Sequence, residues 1–119
     1  MRKILIVDDE DSFRKSLASQ LKLKGWAVLE AADGLEGVDQ AGSHKPDIIL
    51  SDVQMDNMNG FMMVEELQKD SKTSKIPVIM MTGAAQGAGA WSSDVAIEYL
   101  EKPFSLEKLV EAVEKVLKP

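Results

Sequence analysis

The sequence predicts an open α/β fold, a parallel sheet with helices on both faces, and three observations carry that prediction. Short runs rich in Val, Ile, Leu and Met alternate with longer amphipathic segments along all 119 residues. The runs are apolar at nearly every position, the pattern of strands covered on both sides. Each run also ends on a polar group. Ile4-Leu5-Ile6-Val7 leads into Asp8, Asp9, Glu10 and Asp11, and Ile48-Ile49-Leu50-Ser51 into Asp52. Val78-Ile79-Met80-Met81 ends on Thr82, and Ile97-Glu98-Tyr99-Leu100 runs into Lys102-Pro103. Open α/β sheets build their sites at the C-terminal ends of strands.

Taken in order, Lys3–Val7 reads as a central strand. Asp11 or Ser12 caps a helix running to about Lys24, with Phe13, Leu17, Leu21 and Leu23 on one stripe and Gly25 as its stop. Trp26–Glu30 is the second strand, and Asp33-Gly34 opens a loop before a short helix, Leu35–Ala41. Gly42 and Pro46 bracket the next turn, which places His44 on a surface loop, and Asp47–Ser51 is the third strand. Asn59–Lys69 is a helix carrying Phe61, Met62, Val64 and Leu67, with the Met62-Met63 and Met80-Met81 pairs as core filler. Pro77–Met81 and Ala96–Tyr99 are the fourth and fifth strands. Ser105 caps a last helix with Leu106, Leu109, Val110, Val113, Val116 and Leu117 inward. Between the last two strands, Gly83, Gly87 and Gly89 weaken any helix by about 1 kcal/mol each relative to alanine, so that fourth helix is expected to be short or irregular. Within it, Trp91 either anchors the helix or faces a partner.

Composition narrows the function classes. One domain spanning residues 1–119 is expected, long enough to bury a core. Twenty acidic against fourteen basic residues give a net charge of −6, which disfavours direct nucleic-acid binding. The absence of cysteine removes disulfides and thiol nucleophiles. No apolar stretch approaches the roughly 18 residues of a membrane span, and the first strand starts by Lys3, so a cytoplasmic protein without a signal peptide is expected.

The polar strand ends converge if the first, third, fourth and fifth strands are sheet neighbours. Clustered carboxylates raise one another's pKa, and a divalent cation is the usual means of keeping them ionised. Asp8, Asp9 and Asp52 offer the hard oxygen donors that Mg²⁺ takes, leaving positions for water and a phosphoryl oxygen. A hydroxyl (Thr82) and an ammonium (Lys102) complete the charge compensation that phosphoryl transfer needs, and one carboxylate can serve as nucleophile.

These residues closely resemble the receiver domain of two-component response regulators, of the chemotaxis-receiver kind. The resemblance is carried by ILIVDDE (Ile4–Glu10), PDIILSDVQMDNMNG (Pro46–Gly60), MMTG (Met80–Gly83) and YLEKPF (Tyr99–Phe104), in family order along the whole chain. It implies a flavodoxin-like, doubly wound five-stranded sheet in the order 2-1-3-4-5, an order that the chemotaxis receiver itself exemplifies. It further implies that Asp52 is the phospho-acceptor, and that Asp8, Asp9, Asp52 and the backbone carbonyl of Gln54 hold Mg²⁺. Thr82 would be the switch hydroxyl, Tyr99 the aromatic switch, and Lys102 the phosphoryl-pairing ammonium before a cis proline. The implied function is a signalling switch that catalyses only its own aspartyl phosphorylation and dephosphorylation. Its phosphodonor would be a sensor histidine kinase or a histidine phosphotransfer protein. The output, to an unidentified effector, would pass through the helix between strands 4 and 5, strand 5 and the last helix.

The chain departs from the family pattern at three places. Asp56 stands where a proline is common, Asp94-Val95 replaces a small pair before the last strand, and the Thr82–Tyr99 spacing is slightly short. Gln54 and Ala84 occupy positions that modulate hydrolysis of the phosphoryl group in the family. The alternative is a pseudo-receiver, the same fold used as a constitutive protein-binding module. A flavin carrier is disfavoured because Asp8–Asp11 would repel a flavin phosphate, and neither a Walker loop nor a DxD nucleophile motif is present.

Overall fold

The computed structural model of the chain describes residues 2–55, 57–83 and 97–118. The expectations about Asp56, Ala84, Trp91, Asp94-Val95 and the helix between the fourth and fifth strands lie outside the described residues. The described elements are β1 (Lys3–Val7), α1 (Asp11–Leu23), β2 (Ala27–Ala31), α2 (Gly34–His44), β3 (Ile48–Asp52), α3 (Gly60–Gln68), β4 (Val78–Thr82), β5 (Ile97–Glu101) and α4 (Leu106–Leu117). All four strand pairings are parallel, in the order β2-β1-β3-β4-β5.

Strand alternation divides the core in two. Ile4, Ile6, Ile48, Leu50, Ile79 and Met81 face α1 and α4, meeting Leu17, Leu21, Leu109 and Val113. Leu5, Val7, Ile49, Val78 and Met80 face the other way, onto Ala41 of α2 and Met63, Val64 and Leu67 of α3. The central strands are therefore apolar on both sides, which is why their sequence shows no period of two.

Several boundaries differ from expectation for identifiable reasons. The N-cap of α1 is Glu10, without a side-chain hydrogen bond; Asp11 instead pairs with Arg14 at 2.7 Å. Leu23 is 89% exposed and leaves the stripe, whereas Arg14 and Ala18 join Leu17 and Leu21 inside. The Trp26 N–H donates to the Leu21 carbonyl (3.1 Å) across Gly25, whose φ of +97° suits glycine, so β2 starts one residue later. Helix α2 continues through Gly42 to His44, which is exposed in its last turn and not on a loop; the left-handed Lys45 closes it. Met62 is 48% exposed, while Met63, Met80 and Met81 are fully buried.

Asp33 is the N-cap of α2, accepting from Glu36 N–H at 2.9 Å, and its second oxygen accepts from the Asn57 side-chain amide at 2.7 Å. The Glu36 N–H and the Asn57 amide hold its carboxyl below the ordinary range against a small opposing burial effect. Asp33→Ala is expected to cost about 1 kcal/mol at neutral pH, the usual worth of a cap, measured by urea unfolding. A depressed folded-state pKa contributes stability above the unfolded value and loses it as pH falls through the folded one. The difference between parent and variant is therefore expected to shrink at acid pH and to persist at pH 6–8.

Candidate functional site

Three strands deliver carboxylates and an ammonium to one rim of the sheet. β1 ends at Val7, and its neighbour β3 pairs Val7 with Ser51, so Asp8 and Asp52 emerge side by side. β3 in turn pairs Asp52 with Met81 of β4, which places Thr82 at the same rim. β4 pairs Thr82 with Glu101 of β5, and the Lys102 N–H donates to the Thr82 carbonyl at 2.8 Å. Lys102 is thereby aimed back across the strand ends, and the Lys102–Pro103 bond is cis, as expected.

The Lys102 ammonium lies 3.0 Å from Asp8 Oδ2 and 3.7 Å from Asp52 Oδ2, and 4.5 Å from the centre of the Phe13 ring. Phe13 is steadied edge-on by Phe104, with ring centres 6.1 Å apart. Asp8 is fully buried; its Oδ1 accepts from the Glu10 N–H at 2.9 Å. Asp9 is exposed and Asp52 is half-buried. One oxygen from each of Asp8, Asp9 and Asp52 lies within 4.8 Å of the others, a metal-competent group among the described residues.

Burial raises the Asp52 carboxyl above the ordinary range; Lys102 opposes the shift, and the Asp8 and Asp9 charges reinforce it. Three clustered carboxylates against one ammonium leave the site short of positive charge. An oxygen-only donor set with open solvent access fits a hard divalent ion such as Mg²⁺.

The expected site residues fall into two groups. Asp8, Asp9, Asp52 and Lys102 are brought together, while Gln54 sits exposed in the turn after β3. Thr82 shares the rim, and Tyr99 lies opposite Met80, partly buried against the α2–α3 side. Alternation puts Thr82 on the same face of the sheet as Met80 and Tyr99.

Two features escaped the sequence reading. Arg14 is buried beneath the acidic turn, donating to the Asp8 carbonyl at 2.7 Å and to Glu30 at 3.0 Å. Burial would lower its pKa, but hydrogen bonds to Glu30 and Asp11 reverse this and hold it above the ordinary value. The available signal was the place of Arg14 on the inward stripe, three and four residues before Leu17 and Ala18, with Asp11 three residues ahead of it. The second feature is the brace on the β3–α3 turn. Asn57, at φ 68°, reaches Asp33, and the Gly34 N–H donates to the Met58 carbonyl at 3.2 Å, so the turn is tied to α2.

Gly60 begins α3 directly behind β3. A Cβ there would stand 2.6 Å from the Asp52 carbonyl oxygen and 3.0 Å from Met80 Sδ. Gly60→Ala is expected to cost about 2 kcal/mol by overpacking, read from urea unfolding. A neutral result would mean that α3 can slide away from β3 without penalty.

A profile of the response regulator receiver domain matches residues 4–114. Protein PilH of Pseudomonas aeruginosa is 40% identical over 119 residues, covering 98% of each chain. Other relatives, named as transcriptional or response regulators, are 32–35% identical, and the chain spans 45–51% of their length. Among solved structures, the Vibrio cholerae chemotaxis protein CheY4 matches with a TM-score of 0.90 at 34% identity, over 98% of this chain and 99% of that one. The response regulator TrrA of Thermotoga maritima, in complex with Mg²⁺-BeF, matches with a TM-score of 0.87 at 31% identity, over 98% and 100%. With a family profile spanning nearly its whole length and relatives of this similarity, the chain belongs to the response regulator receiver domains of two-component systems.

Proposed function

We propose that the chain is a phosphoacceptor switch, with Asp52 taking a phosphoryl group from the phosphohistidine of a sensor histidine kinase or a histidine phosphotransfer protein. The observation that carries this reading is the gathering of Asp8, Asp9 and Asp52 within 4.8 Å, with Lys102 between Asp8 and Asp52. An Asp52 carboxylate oxygen attacks phosphorus, a P–O bond forms as the P–N bond breaks, and the bonding pair stays on the histidine nitrogen. Lys102 stands 3.7 Å from an Asp52 oxygen, where its ammonium would compensate the charge carried by the oxygens of the incoming phosphoryl group. Asp8, Asp9, Asp52 and the Gln54 carbonyl would hold Mg²⁺, which supplies charge neutralisation at the phosphoryl oxygens. The Mg²⁺-BeF complex of TrrA supports this assignment by similarity.

Thr82 is the hydroxyl that would close on the phosphorylated side chain, and Tyr99, on the same face, the ring that would follow it. The output is a shift between two packings on the β4–β5–α4 side, read by a downstream effector. The acidic net charge supports a protein partner over nucleic acid. Among the described residues no helix is long and apolar enough to cross a membrane, and a cytoplasmic location is part of the same reading. One domain from residue 1 to 119 performs the switch.

Incubation with acetyl phosphate and Mg²⁺, followed by intact-mass measurement, tests the proposal. A gain of one phosphoryl group is expected, lost on chelation and lost in Asp52→Asn. No gain under saturating donor would point instead to a pseudo-receiver.

A further inference from the structure

Arg14 has no part in the chemistry above, yet it is only 6% exposed and engages three acceptors on three segments. Nη1 donates to the Asp8 carbonyl at 2.7 Å, Nη2 pairs with Asp11 at 2.7 Å, and Nε pairs with Glu30 of β2 at 3.0 Å. Asp8 is consequently held on every side. Its N–H donates to the Ala31 carbonyl, its own carbonyl accepts from Arg14, and its two carboxylate oxygens accept from the Glu10 N–H and Lys102.

We infer that Arg14 is a positioning residue for the divalent-cation site, locking the Asp8–Asp11 turn against β2 so that the Asp8 and Asp9 carboxylates stay directed toward Asp52. The inference rests on the Mg²⁺ reading given above. A buried guanidinium is an expensive way to fill a core position. Where stability alone matters, an apolar side chain of similar volume often does as well or better, as Leu17 and Leu21 do on the same helix face. What an apolar residue cannot do is grip a backbone carbonyl and two carboxylates at once. Arginine's planar fork presents fixed donors for that purpose, whereas lysine offers a single compact charge. Groups that orient metal-binding residues in this way typically change metal affinity by about 10- to 100-fold when replaced.

The test is Mg²⁺ binding by calorimetry on the full chain, for the parent, Arg14→Lys and Glu30→Gln, with thermal unfolding in EDTA run alongside. Arg14→Lys is expected to weaken Mg²⁺ binding by about tenfold, with excess Mg²⁺ restoring labelling by acetyl phosphate. Glu30→Gln, which leaves Arg14 in place but loosens it, is expected to shift affinity in the same direction by less. A folded Arg14→Lys protein with parental Mg²⁺ affinity overturns the inference, whatever its melting temperature. If Arg14→Lys does not fold, parental affinity in Glu30→Gln overturns it. A parent that binds no Mg²⁺ removes the underlying reading as well, whereas a binding parent with unchanged variants removes this inference alone.

Discussion

Replacing Lys102 with methionine is expected to destabilise the metal-free chain by about 3 kcal/mol, lowering Tm by roughly 10 °C. The cause is Asp8, whose side chain is 1% exposed and has Lys102 as its cationic contact at 3.0 Å. Removing one partner of a buried pair leaves the other charge without compensation, which costs more than the pair itself contributes. The Lys102 side chain is 24% exposed, so the lower end of the usual range applies. Methionine keeps length and apolar contact over Phe13, which separates the loss of charge from the loss of packing. Adding Asp8→Asn to this variant should restore more than half of the lost stability, because position 8 then carries no uncompensated charge. A double-mutant cycle by urea unfolding measures this coupling. Mg²⁺ is also expected to stabilise Lys102→Met more than it stabilises the parent, since the cation would take over neutralisation of Asp8. If the single variant unfolds like the parent in EDTA, Asp8 is solvated and the electrostatic account of the site is wrong.

The fold was legible because its signal is local and redundant. Ile4–Val7, Ile48–Leu50 and Val78–Met81 are continuous apolar runs, and such runs have few stable homes other than a sheet covered on both faces. The polar residue ending each run marked the rim before any strand order was assigned. Errors arose where tertiary contacts outweighed local pattern. Leu23 matches the α1 stripe by spacing, yet that stripe has already run off the sheet at the last turn of the helix. Arg14, which the apolar stripe of α1 did not include, is inside because three acceptors from different parts of the chain meet it there. Asp33 read as a loop residue although its cap partner, the Glu36 N–H, is only three residues on; it is the second partner, Asn57, 24 positions away, that no local spacing marks. Sequence spacing shows which residues share a face, but not which distant groups will satisfy them. The site was legible for the same reason as the sheet: Asp8, Asp52, Thr82 and Lys102 each lie at or just beyond a strand end, and strand ends are positioned by the fold.

Asp52→Asn is expected to abolish labelling by acetyl phosphate and, in metal-free buffer near neutral pH, to raise Tm by roughly 4 °C, the shift that about 1 kcal/mol produces in a domain of this size. The two effects share one origin. Half-burial disfavours the Asp52 charge, the Asp8 and Asp9 carboxylates repel it, and Lys102, 3.7 Å away and closer to Asp8, offsets only part of this. An amide keeps the shape of the side chain and relieves both the burial of charge and the repulsion by Asp8 and Asp9. The folded chain thus retains a carboxylate that weakens it, as functional sites commonly do. Mg²⁺ should reverse the order. The parent regains stability as its three carboxylates are neutralised together, while the asparagine variant has lost one anionic ligand and gains less. Thermal unfolding of both proteins across a Mg²⁺ series reads the crossing directly. Parallel curves that never cross would mean that Asp52 carries no cation, and a lower Tm for the variant in EDTA would mean that its pairing with Lys102 outweighs burial and repulsion.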